Sequence, residues 1–376
     1  MYFILKILLI LSTFACGKML AKHKTILGKN KYHYPFVLST LLVVIIYTLT
    51  EGLRYGRGTD YFGYYNYFLK GSNGTAPIFD LFTNFHAFAN LPFYYGFLFS
   101  SFLLIYLGLK LIHHYRFAAF FILPLFYLET IVQSSNLVRM YVSFSFVFMS
   151  LNYLIKKNNL KFILFFLVAF LIHYSCIVLL PFILILNLYK NPIPNRLTII
   201  VLFLLFNFIF TIDLDIINSL LNRFSIFNIY DNYITSTNRW LYGEGILIDE
   251  DQKSLYYYIR LNVVPIFTLW YGYPLLEKYK TLKFNIFYYL YFIGLLTLPL
   301  ALSLPTEIIY RLVLFFITFK FIVLGVVLND FTINFKTYSI ISKLFFFYIV
   351  LDIAYTIFKL TFQYSELGIK FVWDII

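Results

Sequence analysis

Arginine, tyrosine and histidine side chains supply most of the chemistry that this sequence offers. Residues 51–68, EGLRYGRGTDYFGYYNYF, contain two arginines, two acidic residues and five tyrosines directly after an apolar run. A guanidinium group binds phosphate oxygens through two parallel hydrogen bonds, and a tyrosine ring stacks on sugars and hydrogen-bonds to their hydroxyls. Together with the apolar surroundings, these residue types predict a ligand that combines phosphate, carbohydrate and lipid.

Four more ionisable side chains interrupt or border apolar runs. They are Arg139 in NLVRMYVSFS, His173 in LIHYS, Arg260 near the start of a run, and Arg311 in TEIIYRLVLF. An arginine within apolar sequence is costly unless it has a partner. A shared polar vestibule on one face of the membrane is therefore the simplest explanation of Arg139 and Arg311.

Ordinary structural roles remain open for the other residues. An interfacial aromatic belt explains Tyr61, Tyr64, Tyr65 and Tyr67 as well as a sugar site does. Arg54 and Arg57 fit solvated loop charges or headgroup contacts as well as a phosphate site. His173 also fits a hydrogen-bonded intramembrane histidine, and the residues alone do not decide between these alternatives.

The composition identifies the elements that must position these residues. Of 376 residues, 61% are hydrophobic, 23% aromatic and only 12% charged, which is more apolar surface than a soluble domain can bury. The sequence therefore predicts a single all-α, polytopic membrane domain over 1–376 with about 11–12 transmembrane helices. The formal net charge of +13 is interpreted as basic loops beside these helices and not as a nucleic-acid site.

Apolar runs of about 20 residues predict where the spans lie. The candidates are near 2–17, 35–50, 92–112, 116–133, 136–155, 197–212, 256–276, 284–304, 308–328 and 338–360. The first is predicted to be an uncleaved anchor; a cleaved signal, or a lipoprotein signal ending at Cys16, is the alternative. The run 161–188 is too long for one ordinary span and short for two.

The distribution of lysine and arginine decides the path of 161–188. If this run breaks into two short helices near 173–175, every basic connector falls on one side and the N-terminus lies outside. The other connectors, chiefly the loops near 51–91 and 213–255, are then extracytoplasmic. Because a broken helix at membrane depth must line protein or water, the break at His173 also indicates a cavity.

Motifs for other kinds of chemistry are missing from the sequence. It contains no Walker A loop, Rossmann glycine pattern, G-x-S-x-G elbow or H-E-x-x-H motif. The histidines other than His173 have no metal-ligand spacing, and both cysteines lie in apolar runs. We therefore predict no metal site, no cofactor and no nucleotide-driven chemistry.

Three stretches of the sequence resemble the EpsG-like, Wzy-type polysaccharide polymerases. LRYGRGTDYFGYYNYF is similar to the outer-loop signature of that family, in which an arginine, a G-x-D-like turn and spaced tyrosines follow the second span. The block from NLVRMYVSFS to LIHYS resembles a later one, with an arginine that opens a span and a stretch that ends in His173 and Ser175. TEIIYRLVLFF resembles the late arginine of the family, whereas residues 213–255 match poorly.

The resemblance implies polymerisation of polyprenyl-pyrophosphate-linked oligosaccharide repeat units at the outer face of the bacterial inner membrane. Arg139 and Arg311 would then stabilise the charge on the leaving pyrophosphate. His173 would act as the general base for an acceptor hydroxyl, because a neutral imidazole is available at pH 7.

The resemblance also suggests which residues bind the substrate. They are Arg54, Arg57, Asp60, Tyr61, Tyr65 and Arg260. Arg54 or Arg57 would add to the positive charge around the pyrophosphate. Asp60 would orient an acceptor hydroxyl or hold Arg57, and the sequence does not separate these two roles.

Two other functions remain open at this point. A glycan ligase would use the same lipid-linked donor and the same vestibule, so only the length of the product separates it from a polymerase. A non-enzymatic transporter of the lipid-linked unit should carry charges along a path through the bilayer, whereas the intramembrane arginines here cluster toward one side. The partners implied are the lipid-linked oligosaccharide, membrane lipid, a chain-length regulator and a flippase, without nucleic acid.

Overall fold

The computed structural model of the protein describes residues 2–22, 34–56, 58, 60–74, 76–189, 191–193, 195–212, 255–303, 307–362 and 370–371. Most of these residues are helical. The α-helices are α1 (Tyr2–Lys22), α2 (Tyr34–Gly52), α3 (Tyr61–Lys70), α4 (Pro77–Phe88), α5 (Phe93–Ile112), α6 (Ala119–Asn136), α7 (Val138–Ile155), α8 (Asn159–Ile172), α9 (Leu179–Leu188), α10 (Arg196–Ile212), α11 (Leu255–Gly272), α12 (Leu275–Lys278), α13 (Phe284–Ser303), α14 (Glu307–Ile317), α15 (Lys320–Ile333) and α16 (Ile340–Phe362). Two short strands, β1 (Arg54–Tyr55) and β2 (Lys370–Phe371), pair antiparallel.

Five segments of the described chain are long and apolar enough to cross a membrane. They are Phe93–Ile131, Val138–Ile155, Phe284–Ala301, Ile309–Ile333 and Ile340–Phe358. Shorter apolar helices of 10–17 residues accompany them, α8 among them. Helices satisfy their own backbone hydrogen bonds, which the hydrocarbon core of a bilayer requires of a spanning segment. The all-α, polytopic architecture predicted from the sequence is therefore confirmed.

The helices group into two compact units. The first consists of Met1–Ile177 and Leu324–Ile376, and the second of Val178–Val323. Each unit is described by itself below. The single transmembrane domain expected from the sequence stays a prediction.

Helices α7 and α8 form an antiparallel pair in the first unit. The hydroxyl of Ser143 donates to the carbonyl oxygen of Ala169 at 2.8 Å, and the hydroxyl of Ser150 donates to that of Phe162 at 3.0 Å. Seven residues forward in α7 therefore correspond to seven residues back in α8. This register determines which residues of the two helices lie at the same level.

The two ends of the first unit differ in the residues they present. At one end, Arg54 follows α2 and donates to the carbonyl oxygen of Ser134, in the last turn of α6, at 3.5 Å. At the other end, the ring of His114 hydrogen-bonds to the side chain of Asn152 at 3.0 Å. Exposed basic residues such as Lys156 lie at this second end, where the sequence places the basic connectors.

The long apolar run 161–188 is broken, as expected, at His173. Helix α8 ends at Ile172, the segment Tyr174–Val178 forms a 3₁₀ helix, and α9 begins at Leu179. The predicted span near 308–328 corresponds to the candidate span Ile309–Ile333, although this segment is not one continuous helix. It divides into α14 and α15 at Thr318, whose hydroxyl donates to the carbonyl oxygen of Leu314 at 2.7 Å, a side-chain bond of a kind that bends helices.

The connector 51–91, which the sequence analysis treats as a loop, contains two helices. Helices α3 and α4 form a hairpin that turns at Gly71, where φ is +80°. A side chain at Gly71 would be strained in this left-handed conformation and would collide with the side chain of Asn84. The hairpin packs against α5 and α8 of the first unit.

In the second unit, the basic residues and the predicted site residue Arg311 also lie at different ends. The ammonium group of Lys283 donates to the side chain of Asn187 at 2.8 Å, and the guanidinium of Arg196 lies 4.0 Å from the ring centre of Trp270. Helix α13 starts beside Lys283 and ends at Ser303, and α14 begins four residues later. The start of α14, with Arg311, is therefore remote from the basic end of this unit.

Candidate functional site

Arg139 lies in the first turn of α7 and is partly exposed. Its backbone N–H donates to the hydroxyl of Tyr64 at 3.3 Å, which gives a partner to one of the amides that a helix start leaves unpaired. Its guanidinium carbon lies 6.0 Å from the ring centre of Phe79, within cation–π distance. Within the described part of the chain, neither Glu129 nor any other carboxylate forms an ion pair with Arg139. The partly exposed guanidinium is therefore not neutralised by a carboxylate of the described chain.

His173 lies level with Arg139 in the register of the helix pair. Arg139 is four residues before Ser143, and His173 is four residues after Ala169, the residue whose carbonyl oxygen Ser143 contacts. One helical turn, about 5.4 Å, thus separates each residue from this hydrogen bond in the same direction. The guanidinium and the imidazole belong to neighbouring helix ends.

Backbone hydrogen bonds hold His173 on both sides. Its own N–H donates to the carbonyl oxygen of Ala169 at 3.0 Å, and its carbonyl oxygen accepts from the N–H of Cys176 at 3.1 Å. The residue has an extended backbone, with φ −151° and ψ 106°, between α8 and the 3₁₀ helix. Only 9% of the residue is exposed, so neighbouring parts of the protein enclose most of His173.

Arg54 is buried at the same end, where it joins two helices. Its guanidinium donates to the backbone carbonyls of Glu51, in the last turn of α2, and of Ser134, in the last turn of α6. Carbonyls at a helix C-terminus have no partner within the helix, and the helix dipole favours a cation there. The ring of Phe97 lies 5.2 Å from the guanidinium carbon. Arg54 therefore acts as a cap shared by two helices and holds the start of α7 in place.

Tyr61 and Tyr65, both predicted to bind substrate, lie in different surroundings. Tyr61 is fully buried, stacks on Phe97 with ring centres 4.7 Å apart, and donates its hydroxyl to the carbonyl oxygen of Arg54 at 3.2 Å. Burial raises the pKa of the Tyr61 hydroxyl, so this group stays a neutral donor. Tyr65 is partly exposed and packs on Phe93 at 4.6 Å.

Tyr64 and Tyr67 of α3 pack against Phe79, the ring that lies near the guanidinium of Arg139. Their ring centres lie 6.0 Å apart, and they are 6.0 and 6.4 Å from that of Phe79. Phe79 was missed because nothing distinguishes it in a chain with 47 phenylalanines. Tyr64 could have been found, because a helix over 61–70 groups it on one face with Tyr61 and Phe68, three and four residues away.

One apolar cluster supports all of these elements. Its buried members are Tyr61, Phe68, Phe97, Val138, Val142 and Ile172. Val138 directly precedes Arg139, and Ile172 directly precedes His173. The structure therefore brings Arg54, Tyr61, Arg139 and His173 to one end of the first unit.

A small cavity lies beside Arg54 within this end. It measures about 10 Å³ and is lined by Arg54, Ser100, Ser101, Leu104, Ser134, Val138, Tyr141 and Val142. This volume suits roughly one water molecule, which the serine hydroxyls can hydrogen-bond. A phosphate or a sugar needs more room than this cavity offers.

The other predicted site residues are less closely defined. Asp60 directly precedes α3, is partly exposed, and accepts the N–H of Tyr64 at its carbonyl oxygen at 3.1 Å. Arg311 is partly exposed in α14 of the second unit, and its approach to Arg139 stays a prediction. Arg57, the side chain of Arg260 and the loop 213–254 lie outside the described residues. Among those described, no group of three or more potential metal ligands lies together.

Fold and site together define a polytopic α-helical membrane protein with arginine, tyrosine and histidine gathered at one end of its helices. The EpsG family model matches residues 37–367, which is most of the chain and includes every predicted site residue. The chain belongs to the EpsG family, and this membership indicates a role as a polysaccharide polymerase. None of the curated proteins and none of the solved structures compared with the chain matches it.

Proposed function

We propose that the protein polymerises polyprenyl-pyrophosphate-linked oligosaccharide repeat units at the extracytoplasmic face of the bacterial inner membrane. The observation that supports this most is the position of Arg139, which lies level with His173 and has no carboxylate partner in the described chain. A guanidinium suits a diphosphate, an imidazole suits the proton of a sugar hydroxyl, and the tyrosines nearby suit sugar rings. Family membership restricts the class of product to polysaccharide.

The proposed reaction joins two lipid-linked glycans. The oxygen of an acceptor hydroxyl on the incoming repeat unit attacks the anomeric carbon through which the growing glycan is bound to pyrophosphate. The bond from that carbon to the pyrophosphate oxygen breaks, and polyprenyl pyrophosphate leaves with the electron pair. The acceptor hydroxyl gives its proton to a base. The donor linkage supplies the driving force, so the reaction needs no nucleotide.

The roles follow from the charges that change during this step. Arg139 stabilises the negative charge that develops on the leaving pyrophosphate, and Arg311 is the second guanidinium proposed for this purpose. His173 accepts the proton of the attacking hydroxyl, since a neutral imidazole is available near pH 7. The backbone bonds that hold His173 at the end of α8 limit how far its ring can move from this position.

The remaining residues divide into contacting and supporting groups. The proposed contacts with substrate are Arg57, Asp60, Tyr65 and Arg260. Arg54 and Tyr61, which the sequence analysis places among the binding residues, support the site from the protein interior in the observed geometry, because they are 2% and 0% exposed. Tyr64, with its hydroxyl on the first turn of α7, joins the contacting group.

Reconstitution with a defined donor tests the proposal. The purified protein is placed in liposomes with a polyprenyl-pyrophosphate-linked repeat unit, and the lipid-linked products are separated by mass. We expect a ladder of whole multiples of the repeat unit, still attached to lipid. The matched variant His173→Gln should bind the donor but give no ladder. Absence of any product longer than the starting unit with the wild-type protein would contradict the proposal.

A further inference from the structure

Helix α4 exposes three large apolar side chains, with the exposed Asn84 beside them, and buries two polar ones together with Phe79. Leu81, Phe85 and Phe88 are 70%, 62% and 86% exposed, and their spacing of four and three residues places them on one face. The opposite face holds the buried side chains of Thr83 and His86. A helix on a water-exposed surface has the reverse arrangement.

The inward polar groups are bound within the α3–α4 hairpin. The hydroxyl of Ser72 donates to the carboxylate of Asp80 at 2.7 Å and lies 2.7 Å from the hydroxyl of Thr83. The Nδ1 atom of His86 lies 2.7 Å from the carbonyl oxygen of Phe68. Rotation of α4 to bring its polar face to the surface would break these bonds, so the outward position of the apolar face is fixed.

The apolar stripe of α4 continues onto a membrane-spanning helix. Helix α5 exposes Tyr95, Phe99, Phe102 and Tyr106 along one face, with 36–48% of each residue accessible. Phe82 of α4 contacts Phe99 of this face, with ring centres 5.2 Å apart. Because the exposed face of a spanning helix contacts lipid, the outward face of α4 extends a lipid-contacting surface.

We propose that α4 is an interfacial helix, lying in the headgroup region with Leu81, Phe85 and Phe88 among phospholipid acyl chains. Its 12 residues span about 18 Å, too short to cross a hydrocarbon core of about 30 Å. The exposed face of α3 is mixed, because Asn66 and Lys70 lie beside the exposed Phe62 and Leu69.

The position of α4 also indicates how a lipid-linked substrate would reach Arg139, an inference that rests on the proposed function. Phe79, on the inward face of α4, contacts the guanidinium of Arg139 at 6.0 Å. The width of one helix, about 10–12 Å, together with this 6.0 Å contact therefore separates the lipid-contacting stripe from Arg139. A pyrophosphate attached to a lipid in the bilayer would reach Arg139 at headgroup depth without its lipid chain leaving the membrane.

Spin labels on the helix test the proposed lipid contact. Single cysteines replace Leu81, Phe85 and Phe88 in a chain that carries Cys16→Ala and Cys176→Ala, since both native cysteines are buried. The labelled protein is placed in nanodiscs of phosphatidylethanolamine and phosphatidylglycerol. Relaxation of each label is measured with oxygen, which concentrates in lipid, and with a water-soluble nickel chelate. Labels at the exposed polar positions Asn66 and Asn73 are the matched controls.

We expect oxygen to relax the labels on the α4 stripe several-fold more effectively, relative to nickel, than it relaxes those at Asn66 and Asn73. Nickel access at the stripe equal to that of the controls would place α4 in water and overturn the proposal. Labels shielded from both reagents would show protein packed on the stripe and would overturn it as well. Because the assay needs no glycan, its outcome is independent of whether the protein polymerises sugar.

Discussion

Arg139 and His173 lie at the same level of two antiparallel helices, each one turn beyond the hydrogen bond between Ser143 and Ala169. Neither residue is near the other in sequence, and the pairing depends on the α7–α8 register alone. A second serine bond, from Ser150 to the carbonyl oxygen of Phe162, fixes the same register two turns further from the site. Variants of the two serines therefore allow effects on the stability of the helix pair to be distinguished from effects on the geometry of the site.

We expect Ser143→Ala to slow glycan elongation more than Ser150→Ala does. Each variant loses one hydrogen bond between helices, worth about 1 kcal/mol of the free energy of unfolding, and Ser143→Ala also loses the contact of its hydroxyl with the thiol of Cys176. Only Ser143 is one turn from both Arg139 and His173. Initial elongation rates in liposomes, corrected for protein abundance, measure the difference. Equal rates for the two variants would show that the register near Ser143 does not position the site.

Arg139→Lys keeps the charge but loses the planar pair of donors. Because the described chain gives Arg139 no carboxylate partner, the variant should accumulate in the membrane at the normal level. We expect polymer formation to fall by about tenfold or more, equivalent to about 1.4 kcal/mol of transition-state stabilisation. Immunoblotting of membranes and gel analysis of the glycan measure the two quantities.

The matched control is Arg116→Lys, at the opposite end of the first unit. It should leave polymer formation unchanged. Normal polymer from Arg139→Lys, or loss of that variant from the membrane, would refute the role proposed for Arg139.

Arg54 should behave differently from Arg139 because it caps two helices. Arg54→Ala leaves the carbonyl oxygens of Glu51 and Ser134 without this donor, and we expect it to lower the free energy of unfolding by roughly 2 kcal/mol. Arg139→Ala, at a partly exposed position, should change it by less than about 0.5 kcal/mol. Thermal unfolding in detergent compares the two variants. Wild-type stability of Arg54→Ala together with loss of polymer would instead indicate a direct contact with substrate.

The orientation of the first unit can be measured with an impermeant thiol reagent. A cysteine at Asn73, exposed in the α3–α4 turn, should react from outside the cell. The neighbouring Ser72 is unsuitable, because it is 4% exposed and bound to Asp80. A cysteine at Asn159, exposed at the basic end, should be protected in intact cells. The reverse labelling pattern would place the proposed site in the cytoplasm.

The spans and the break at His173 were predictable because length and hydropathy decide them. A run of 28 apolar residues cannot form one ordinary span, and the charge asymmetry locates its turn. Helices α3 and α4 were not predicted, because their 10 and 12 residues are far fewer than the about 20 apolar residues that mark a membrane span. The division at Thr318 is a local turn between two apolar helices, which hydropathy does not register.

The types of the site residues were predictable, but their surroundings were not. Arg54 and Arg139 have the same chemistry in the sequence, yet one is a buried cap and the other is partly exposed. This difference depends on how α2, α6 and α7 pack. Tyr61, predicted to bind substrate, is buried, whereas the hydroxyl of Tyr64 contacts the backbone of Arg139. The orientation of α3 decides this difference.

The central claim is that this chain elongates glycan on its lipid carrier. Mass analysis of lipid-linked glycans from a strain that lacks the protein tests it most directly. We predict that single repeat units on polyprenyl pyrophosphate accumulate. Long lipid-linked glycan should return with the wild-type chain, be reduced by about tenfold or more with Arg139→Lys, and be absent with His173→Gln. Accumulation of long glycan still attached to the lipid carrier in the deletion strain would contradict the account, because that is the species expected to accumulate when a ligase is lost.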